Sequence, residues 1–363
     1  MARFLWLISL ACVVALPPDT AIANTDDTFH ARVVEILSEE SVALPGTDAS
    51  YIVQTMRAVT TDGEVLTLEN DRVPLKVGDY FFGMFIEGPE GRIYSVRDPD
   101  RRLVLIAVVS AFVVSVVAVG RWVGVRSLIS LGLSLFALLW WLTPLVVSGA
   151  SPFAVSATLA VVVLCVATLV THGVSWKTLT ALVASFISVG IAMVISSIMV
   201  SAARVSGFAS DEASILNLTT GGAINMEGVL LGALIIGVLG IVDDLTITQV
   251  STVQALHQAN PHMDPRALYH ESMRVGRDHL GAVVNTLVLA YAGSALPLLM
   301  LFSLSPSSPL TLINSDIITI EIIRAAVGGM CLAASIPLAT ALAVVVRKKM
   351  AGSTVSSHGH IIH

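Results

Sequence analysis

The stretch GVLLGALIIGVLGIVDDLTITQV, residues 228–250, decides how this chain folds. Residues 229–242 are all apolar or glycine, but these 14 residues are too few to cross about 30 Å of hydrocarbon. Residues 243–250 supply the missing length, because Leu245, Ile247 and Val250 continue the apolar character past the two carboxylates. A membrane helix here therefore has to bury Asp243 and Asp244, and a charged Asp near the bilayer centre costs about 2.5–3.5 kcal/mol. Such a cost favours a functional carboxylate.

A second interpretation of the same residues stays open. The helix could end at Val242, so that Asp243 and Asp244 cap it in cytosolic water. The two interpretations differ in whether the helix continues past the carboxylates and whether a neighbouring helix covers them.

Composition places the chain among polytopic membrane proteins. Of its 363 residues 55 % are hydrophobic and 13 % charged, with a mean hydropathy of +0.84. The small net charge of −6 gives no indication of a basic surface that would bind nucleic acid. The three cysteines lie in apolar stretches, so neither a disulfide framework nor a metal motif is indicated, and we expect no cofactor.

Residues 1–23 have the pattern of a signal peptide. Arg3 precedes an apolar core at residues 4–16, and the small residues of Ala21-Ile22-Ala23 form a cleavage site before Asn24. An uncleaved anchor is the alternative. Either way, the segment that begins at Asn24 is expected to lie outside the cytoplasm as far as the first transmembrane helix.

Residues 24–98 are predicted to form a small extracytoplasmic β domain. Hydrophobic alternation at 29–36, 51–59 and 80–86 indicates strands, and Asp62-Gly63, Val77-Gly78-Asp79 and Gly88-Pro89 indicate turns. We expect a β-barrel-like, OB-like domain of five or six strands. It contains no cluster of residues that suggests catalysis.

Seven transmembrane helices are predicted in the domain 99–346, so the fold class is a mainly α polytopic membrane protein. The segments lie at approximately 103–119, 127–147, 153–171, 178–203, 229–250, 279–304 and 323–346. The cytoplasmic tail is 347–363, and its His358, His360 and His363 are interpreted as a solvated end.

Lysine and arginine in the loops predict the orientation. With the β domain outside, alternate loops on the inner side carry the basic residues, and the outer loops after the second, fourth and sixth helices carry one at most. The inner basic residues are Arg121, Arg126, Lys177, Arg266, Arg274, Arg277, Arg347, Lys348 and Lys349. We therefore expect a multi-pass protein of the bacterial plasma membrane with its C-terminus in the cytoplasm.

The chain resembles the YibE/F family of bacterial membrane proteins. The matching features are Arg97-Asp98 with Arg101, Gly124-Val125-Arg126-Ser127-Leu128, Pro144 with Gly149, and residues 228–240 followed by Asp243. The chain departs from the family by lacking a glycine near Ala184. The resemblance implies a polytopic membrane protein and brings no settled activity with it.

Residues 229–293 also resemble, more locally, the resistance-nodulation-division permeases and related export subunits. The shared order is an Asp pair in a glycine-rich helix, a cytosolic amphipathic connector ending near Gly276-Arg277, and a following helix that contains Thr286. In those families a mid-membrane Asp and a polar residue of the next helix take part in proton coupling. The resemblance implies such roles for Asp243, Asp244 and Thr286.

Small residues line one face of the helix that carries the carboxylates. Ala233, Gly237, Gly240 and Asp244 recur at helical spacing, and Gly228 with Gly232 forms a GxxxG step. We therefore expect Gly228, Gly232, Gly237 and Gly240 to be helix-packing residues, with Asp244 packed against protein. Asp243 points about 100° away and should have different surroundings.

The predicted charge or hydrogen-bond partners of the Asp pair lie on the following helix. They are Arg277, His279, Asn285 and Thr286. For Arg277 and His279 a position at the membrane interface is the alternative. Asp264-Pro265 is predicted to start a connector helix over 265–278, and Gly293 with Pro297 allows a kink further on.

Two functions remain open. The first is an ion- or proton-coupled transporter or export factor that uses Asp243 and Asp244. The alternative is a non-transporting scaffold or assembly factor that acts through the β domain. Intramembrane aspartyl proteolysis needs acids on two helices, and ATPase, zinc-protease or esterase motifs are missing, so we expect no enzyme activity. The expected partners are the lipid bilayer and either a second copy of the chain or a paralogous membrane subunit. The sequence does not identify a substrate.

Overall fold

A computed structural model describes residues 28–46, 48–88, 91–208, 210–304 and 308–355. The predicted signal peptide, Pro89 and the three C-terminal histidines lie outside the described residues. The chain divides after Ala118 into two compact units. Each unit is described by itself.

The first unit begins with a closed five-stranded barrel. Its strands are β1 (Thr28–Ala43), β2 (Ser50–Thr60), β3 (Val65–Asn70), β4 (Tyr80–Gly88) and β5 (Gly91–Pro99). They close in the order β1-β2-β3-β5-β4, and all pairs are antiparallel except β3 with β5. The five-stranded barrel confirms the prediction of a β-barrel-like domain.

Strand β1 closes the barrel because it is long and bent. It pairs with β4 through its first residues and with β2 along most of its length. Register shifts between Val33 and Glu35 and between Ile36 and Ser38 give it the bend that closure needs. The interior is apolar and consists of Ala31, Val33, Met56, Ala58, Leu66, Leu68, Leu75, Phe81 and Val96.

A buried glutamine ties the loop before β4 to the barrel. The Gln54 side chain is 1 % exposed, and its Oε1 accepts hydrogen bonds from the Leu75 backbone N–H at 2.7 Å and from Asn70 Nδ2 at 3.1 Å. Its Nε2 donates to the Leu75 carbonyl oxygen at 3.0 Å. A buried amide is tolerated because its donor and acceptor are both satisfied.

A charged cluster joins the end of β5 to the first helix. The Arg102 guanidinium donates to Asp100 through Nε and Nη2, the latter at 2.6 Å. His30 Nε2 of β1 lies 3.0 Å from Asp100 Oδ2, and its ring stacks on Tyr80 with 5.6 Å between centroids. The hydrogen bonds from Arg102, with that from His30, hold the pKa of the Asp100 carboxyl well below its usual range.

The rest of the chain is helical. The helices are α1 (Arg102–Ala137), α2 (Thr143–Val147), α3 (Pro152–His172), α4 (Trp176–Ala203), α5 (Asp211–Thr219), α6 (Met226–Ala259), α7 (Pro265–Ser294), α8 (Leu296–Ser303), α9 (Pro309–Ile313) and α10 (Asp316–Val355). A π-helical turn, Leu138–Leu142, connects α1 to α2.

Five stretches in the described part of the chain are long and apolar enough to cross a membrane. They are Arg102–Val147, Pro152–His172, Trp176–Ala203, Met226–Ala259 and Asp316–Met350. A further pair, α7 with α8, passes the same test together but is bent by 64°. The described residues therefore contain five or six such segments, and the difference from seven arises in the first stretch, which is helical without a loop. Arg121 interrupts it with φ 49° and ψ −127°.

Helix α6 lies at the centre of the bundle and packs against α3, α4, α7 and α10. Its large apolar residues, including Leu234, Ile235, Val238 and Val242, are buried in the main core with residues of α3, α4 and α10. The side of α6 that carries large side chains therefore faces the protein interior.

The predicted boundary between a connector helix over 265–278 and a membrane segment from 279 is wrong, because α7 is one continuous helix. Asp264 caps its start by accepting a hydrogen bond from the Arg266 N–H at 3.0 Å, as predicted. The helix then continues through 278 to Ser294, because no proline or capping residue interrupts it there. The predicted kink is confirmed as the 64° bend between Ser294 and Leu296.

Candidate ion-coupling site around Asp243 and Asp244

The helix that carries the carboxylates does not end at them. Helix α6 has 34 residues and continues from Met226 through the Asp pair to Ala259. It is about 51 Å long, so it exceeds the hydrocarbon thickness. Asp243 and Asp244 are near its middle, and the interpretation in which they cap a helix ending at Val242 is wrong.

Asp243 contacts a neighbouring helix. Its Oδ1 accepts a hydrogen bond from the Thr168 hydroxyl of α3 at 2.8 Å. Thr168 is completely buried, and Asp243 is half-buried. The carboxylate therefore lies between α3 and α6, with a hydroxyl donor directed at it.

Asp244 has different surroundings, as the helical spacing predicted. Its side chain is exposed in the single chain, and His172 at the end of α3 is close enough to interact with it electrostatically. The expectation that Asp244 is the carboxylate packed against protein is wrong; Asp243 has that position. The pair thus consists of one covered and one open carboxylate on consecutive residues.

The small-residue face of α6 is open at its middle. Ala233, Gly237 and Gly240 are exposed together with Asp244, and a Cβ added at Gly240 would meet no atom of the described chain within 4 Å. Gly240 is therefore not a packing residue among the residues that the structure describes. The reason is that the larger residues of α6 are on the other side and form the core.

The first two glycines of α6 do pack closely against another helix. A Cβ at Gly228 would lie 3.4 Å from Pro152 Cδ, and one at Gly232 would overlap the Ser156 hydroxyl of α3. The predicted packing role of this GxxxG step is borne out by these contacts. Gly237 approaches α7, because a Cβ there would lie 3.4 Å from the Tyr291 hydroxyl oxygen.

Buried polar groups continue from the carboxylates along α6. Thr246, one turn further, donates to the Asp243 carbonyl oxygen at 3.0 Å and lies 2.6 Å from the Ser185 hydroxyl of α4. Gln249 then donates to the Ser272 carbonyl oxygen of α7 at 3.0 Å and to the Thr340 hydroxyl of α10 at 2.7 Å. These side chains connect four helices through hydrogen bonds.

Gly276 leaves space for the side-chain amide of Gln249. A Cβ at Gly276 would lie 2.9 Å from Gln249 Oε1 and 2.6 Å from Ile336 Cγ2. The glycine therefore lets α7 approach α6 and α10 closely beside the polar groups. The sequence does not reveal this role, because Gly276 reads there as the end of a connector.

The four predicted partners on α7 do not face the carboxylates. Arg277, His279, Asn285 and Thr286 are exposed, and Thr286 donates to the Ala282 carbonyl oxygen of its own helix at 2.9 Å. The buried face of α7 consists instead of Leu268, Ser272, Gly276 and Leu287. The partner that contacts Asp243 is therefore on α3, the second helix before α6 in the predicted series.

Thr168 is the functional candidate that sequence reasoning missed. It lies 75 positions from Asp243 in a long apolar segment, where a threonine usually bonds its own helix. Its only signal is the pattern Thr168-Leu-Val-Thr-His172, polar residues one turn apart at the end of an apolar helix. No group of three or more metal-ligating side chains occurs among the described residues.

Comparison with known proteins identifies the family of this chain. No curated protein matches it significantly. No solved structure matches it significantly. A family model described as YibE/F-like protein matches residues 108–349, which cover the membrane helices and two thirds of the chain. The half-covered Asp243 and the helices that surround it are all within this range, and the chain belongs to the YibE/F family.

Proposed function

We propose that this protein is an ion- or proton-coupled membrane transporter or export factor in which Asp243 carries the coupling ion. The observation that supports the proposal is the hydrogen bond from Thr168 to Asp243 between two apolar helices. Asp244, on the next residue, has an open position beside it.

The physical argument begins with the cost of burying a charge. An ionisable side chain in a membrane helix is expensive, and it is tolerated where it faces a partner or a water-filled space. Binding a proton or a cation removes that cost at Asp243, and Thr168 can satisfy the carboxyl in both states because a hydroxyl both donates and accepts. Because Asp244 is exposed and next to Asp243, the ion can reach Asp243, or leave it, by way of Asp244.

The proposal includes seven crossings, with the barrel outside and the C-terminus inside. The 46-residue stretch Arg102–Val147 is about 69 Å long as a helix, more than twice the hydrocarbon thickness. The left-handed backbone at Arg121 divides it into two segments of sufficient length for one crossing each. The bent α7–α8 pair supplies the sixth crossing and α10 the seventh.

Carbodiimide labelling tests the state of Asp243. Dicyclohexylcarbodiimide reacts with a neutral carboxyl group in apolar surroundings, so the full-length protein in proteoliposomes should be labelled at Asp243 at neutral pH. Labelling is located by mass spectrometry of the digested protein. Equal or weaker labelling of Asp243 than of Asp264, a helix-capping carboxylate, would contradict the proposal.

Proton flux tests the function itself. Proteoliposomes loaded with a pH-sensitive dye receive a potassium diffusion potential, and proton entry is followed with time. Asp243→Asn should lower the rate at least about tenfold, which corresponds to about 1.4 kcal/mol. Glu227→Gln is the matched control, because it removes an acid from the first turn of the same helix. An unchanged rate in Asp243→Asn would remove the proposal.

The scaffold function is the second candidate, and a cavity of about 620 Å³ at one end of the barrel favours it. Its lining includes Asp62, Glu64, Phe85 and Tyr94. If the barrel acts alone, the double change Asp62→Lys and Glu64→Lys should abolish complementation of a deletion strain, while Asp243→Asn should restore growth. The transporter proposal expects the opposite pair of results.

A further inference from the structure

The barrel is closed at its middle and parted at one end. Its two parallel strands, β3 and β5, pair only through Glu69 with Ser95 in the described part of the chain. Residues 65–68 of β3 and 91–94 of β5 precede this pair and form no ladder with each other. Backbone N–H and C=O groups along a strand edge without a partner can pair with an added strand. This end of the barrel therefore offers free strand edges to a ligand.

The cavity of about 620 Å³ lies at this parted end. Leu66 lines it from β3, and Arg92 and Tyr94 line it from β5. Its other walls are the start of β1, the turn between β2 and β3, and the end of β4. Its volume is within the range of about 300–1,000 Å³ that is typical of ligand sites.

Three aromatic rings form one side of the cavity. The Tyr94 ring packs against the Phe29 ring with 5.6 Å between centroids, and against the Phe85 ring with 6.1 Å. All three side chains are half-buried, so part of each ring stays open to an occupant. Aromatic rings accept the aliphatic stem and the charged end of a basic side chain.

The charged side chains of the lining leave an excess of negative charge. The Arg92 guanidinium lies over the Phe85 ring, 4.4 Å from its centre, and 3.7 Å from the Glu87 carboxylate, so Arg92 and Glu87 offset each other. Asp62 and Glu64 lie at the turn between β2 and β3, are exposed, and form no ion pair with any described residue. Two accessible carboxylates therefore remain for a cationic occupant.

We propose that the parted end of the barrel binds an extended, basic peptide segment of another protein. The peptide backbone adds to the free strand edges, and a lysine or arginine side chain lies across the aromatic rings with its charge at Asp62 and Glu64. The inference names a partner class for the barrel. It does not rest on the coupling role of Asp243, which is in the other compact unit.

The chemistry of the lining distinguishes this ligand from others. An acidic peptide would be repelled by Asp62 and Glu64, and His30, the other basic side chain of the lining besides Arg92, is held by Asp100 at 3.0 Å. A glycan can stack on the rings and bond to the carboxylates, but it would leave the backbone groups of the strand edges without partners. A basic extended peptide matches the charge, the rings and the strand edges together.

Direct binding tests the proposal without using transport. The full-length protein in nanodiscs of zwitterionic lipid is titrated against a fluorescein-labelled octapeptide of alternating lysine and valine, and fluorescence anisotropy gives Kd. Protein-free nanodiscs give the background. We expect saturable binding that is lost when glutamate replaces lysine in the peptide. Equal binding of the two peptides would overturn the proposal.

A modified peptide tests the strand pairing. The same octapeptide N-methylated at its valines keeps the charge and loses the N–H donors of one edge, so it should bind at least about tenfold more weakly, or about 1.4 kcal/mol. Equal binding of the methylated peptide would overturn strand addition. Binding of chitohexaose without binding of the octapeptide would make the cavity a glycan site and would overturn the proposal.

Two matched double variants locate the site. Asp62→Asn with Glu64→Gln keeps the size of both side chains and removes their charges, and it should raise Kd at least about tenfold. Glu40→Gln with Asp71→Asn removes one Glu and one Asp charge from exposed positions of the barrel that do not line the cavity, and it should leave Kd unchanged. Equal Kd values for the two double variants would exclude this cavity.

The two proposals fail separately. Asp243→Asn should bind the octapeptide with unchanged Kd while it loses proton flux. If the unaltered protein conducts protons through Asp243 yet binds no octapeptide, the peptide site is wrong and the coupling role stands. If it binds the octapeptide at Asp62 and Glu64 while Asp243→Asn keeps its proton flux, the coupling role is wrong.

Discussion

Thr168 is the residue through which Asp243 is joined to a second helix. Its hydroxyl is buried, and the carboxylate oxygen that it contacts is 2.8 Å away. Thr158, three turns earlier in α3, is exposed and donates to the Ala154 carbonyl oxygen of its own helix at 2.8 Å. Both threonines lie in α3. Thr168 donates its hydroxyl to a side chain of another helix, and Thr158 donates its hydroxyl within its own helix.

This difference gives the first prediction. Thr168→Val keeps the shape and removes the donor, so Asp243 loses its hydrogen bond and the free energy of unfolding should fall by roughly 1–3 kcal/mol. Thr158→Val should leave stability within about 0.5 kcal/mol of the unaltered protein, as exposed substitutions usually do. Thermal unfolding in detergent measures both. Equal shifts in the two variants would show that the bridge contributes nothing.

Asp100 gives a prediction for the barrel. The hydrogen bonds from Arg102 lower the pKa of this carboxyl, and the side chain is 12 % exposed. A lowered pKa in the folded state means that its stabilisation is fully present above about pH 4, the ordinary Asp value, and is lost as the pH falls below it. Asp100→Asn should therefore weaken the junction at pH 7 and remove this part of the acid dependence.

Hydrogen exchange of the full-length protein measures the effect. Protection of the first residues of β1 and the last residues of β5, corrected for the intrinsic exchange rate at each pH, should fall in Asp100→Asn at pH 7. Asp98→Asn is the control, since the Asp98 side chain is 54 % exposed and its pair with Arg101 is at the surface. Identical protection in the unaltered protein and Asp100→Asn at pH 7 would contradict the prediction.

At the level of elements, the glycines of α6 show how a spacing pattern can be misread. Helical periodicity correctly placed Ala233, Gly237, Gly240 and Asp244 on one face, but it could not say whether that face is covered. Core packing is decided by the large side chains on the opposite side of the helix. Periodicity identifies a face, and only the other helices determine what lies against it.

A matched glycine pair tests this assignment. Gly232→Val would drive a side chain into Ser156 and Pro152 of α3, which should cost roughly 1–3 kcal/mol. Gly240→Val meets open space within the chain and should change monomer stability by much less. Both variants add the same β-branched side chain to the same helix. Equal destabilisation of the two in thermal unfolding would show that the open face is covered in the folded protein.

Much of the element structure follows from the sequence. Strands β1, β2 and β4, the Asp264 cap and the bend after Gly293 were indicated by local signals, which depend on a few neighbouring residues, whereas β3 and β5 were not placed. The contacts of Asp243 were not, because they join helices that are far apart in sequence and depend on rotation about each helix axis. For that reason the prediction that residues of α7 are the partners of the Asp pair was wrong.

For the whole molecule, the number of crossings decides which side each loop occupies. The loop between α6 and α7 is the informative position, because seven crossings place it inside. A single crossing of Arg102–Val147 would place it outside, since every later segment would then change sides.

Cysteine labelling tests this directly. In a variant without the natural cysteines, His262→Cys in that loop should react with a membrane-impermeant maleimide only after the cells are permeabilised. Gly63→Cys in the barrel turn is the outside control and should react in intact cells. Reaction of His262→Cys in intact cells at the rate of Gly63→Cys would rule out seven crossings.

The unbroken helix α7 has a mechanical consequence. It is a single rod of 30 residues, about 45 Å long, that starts at the Asp264 cap and ends at the bend after Ser294. Its middle is held against α6 and α10 where Gly276 admits Gln249. If α7 tilted about this contact, its Asp264 end and its Ser294 end would move in opposite directions.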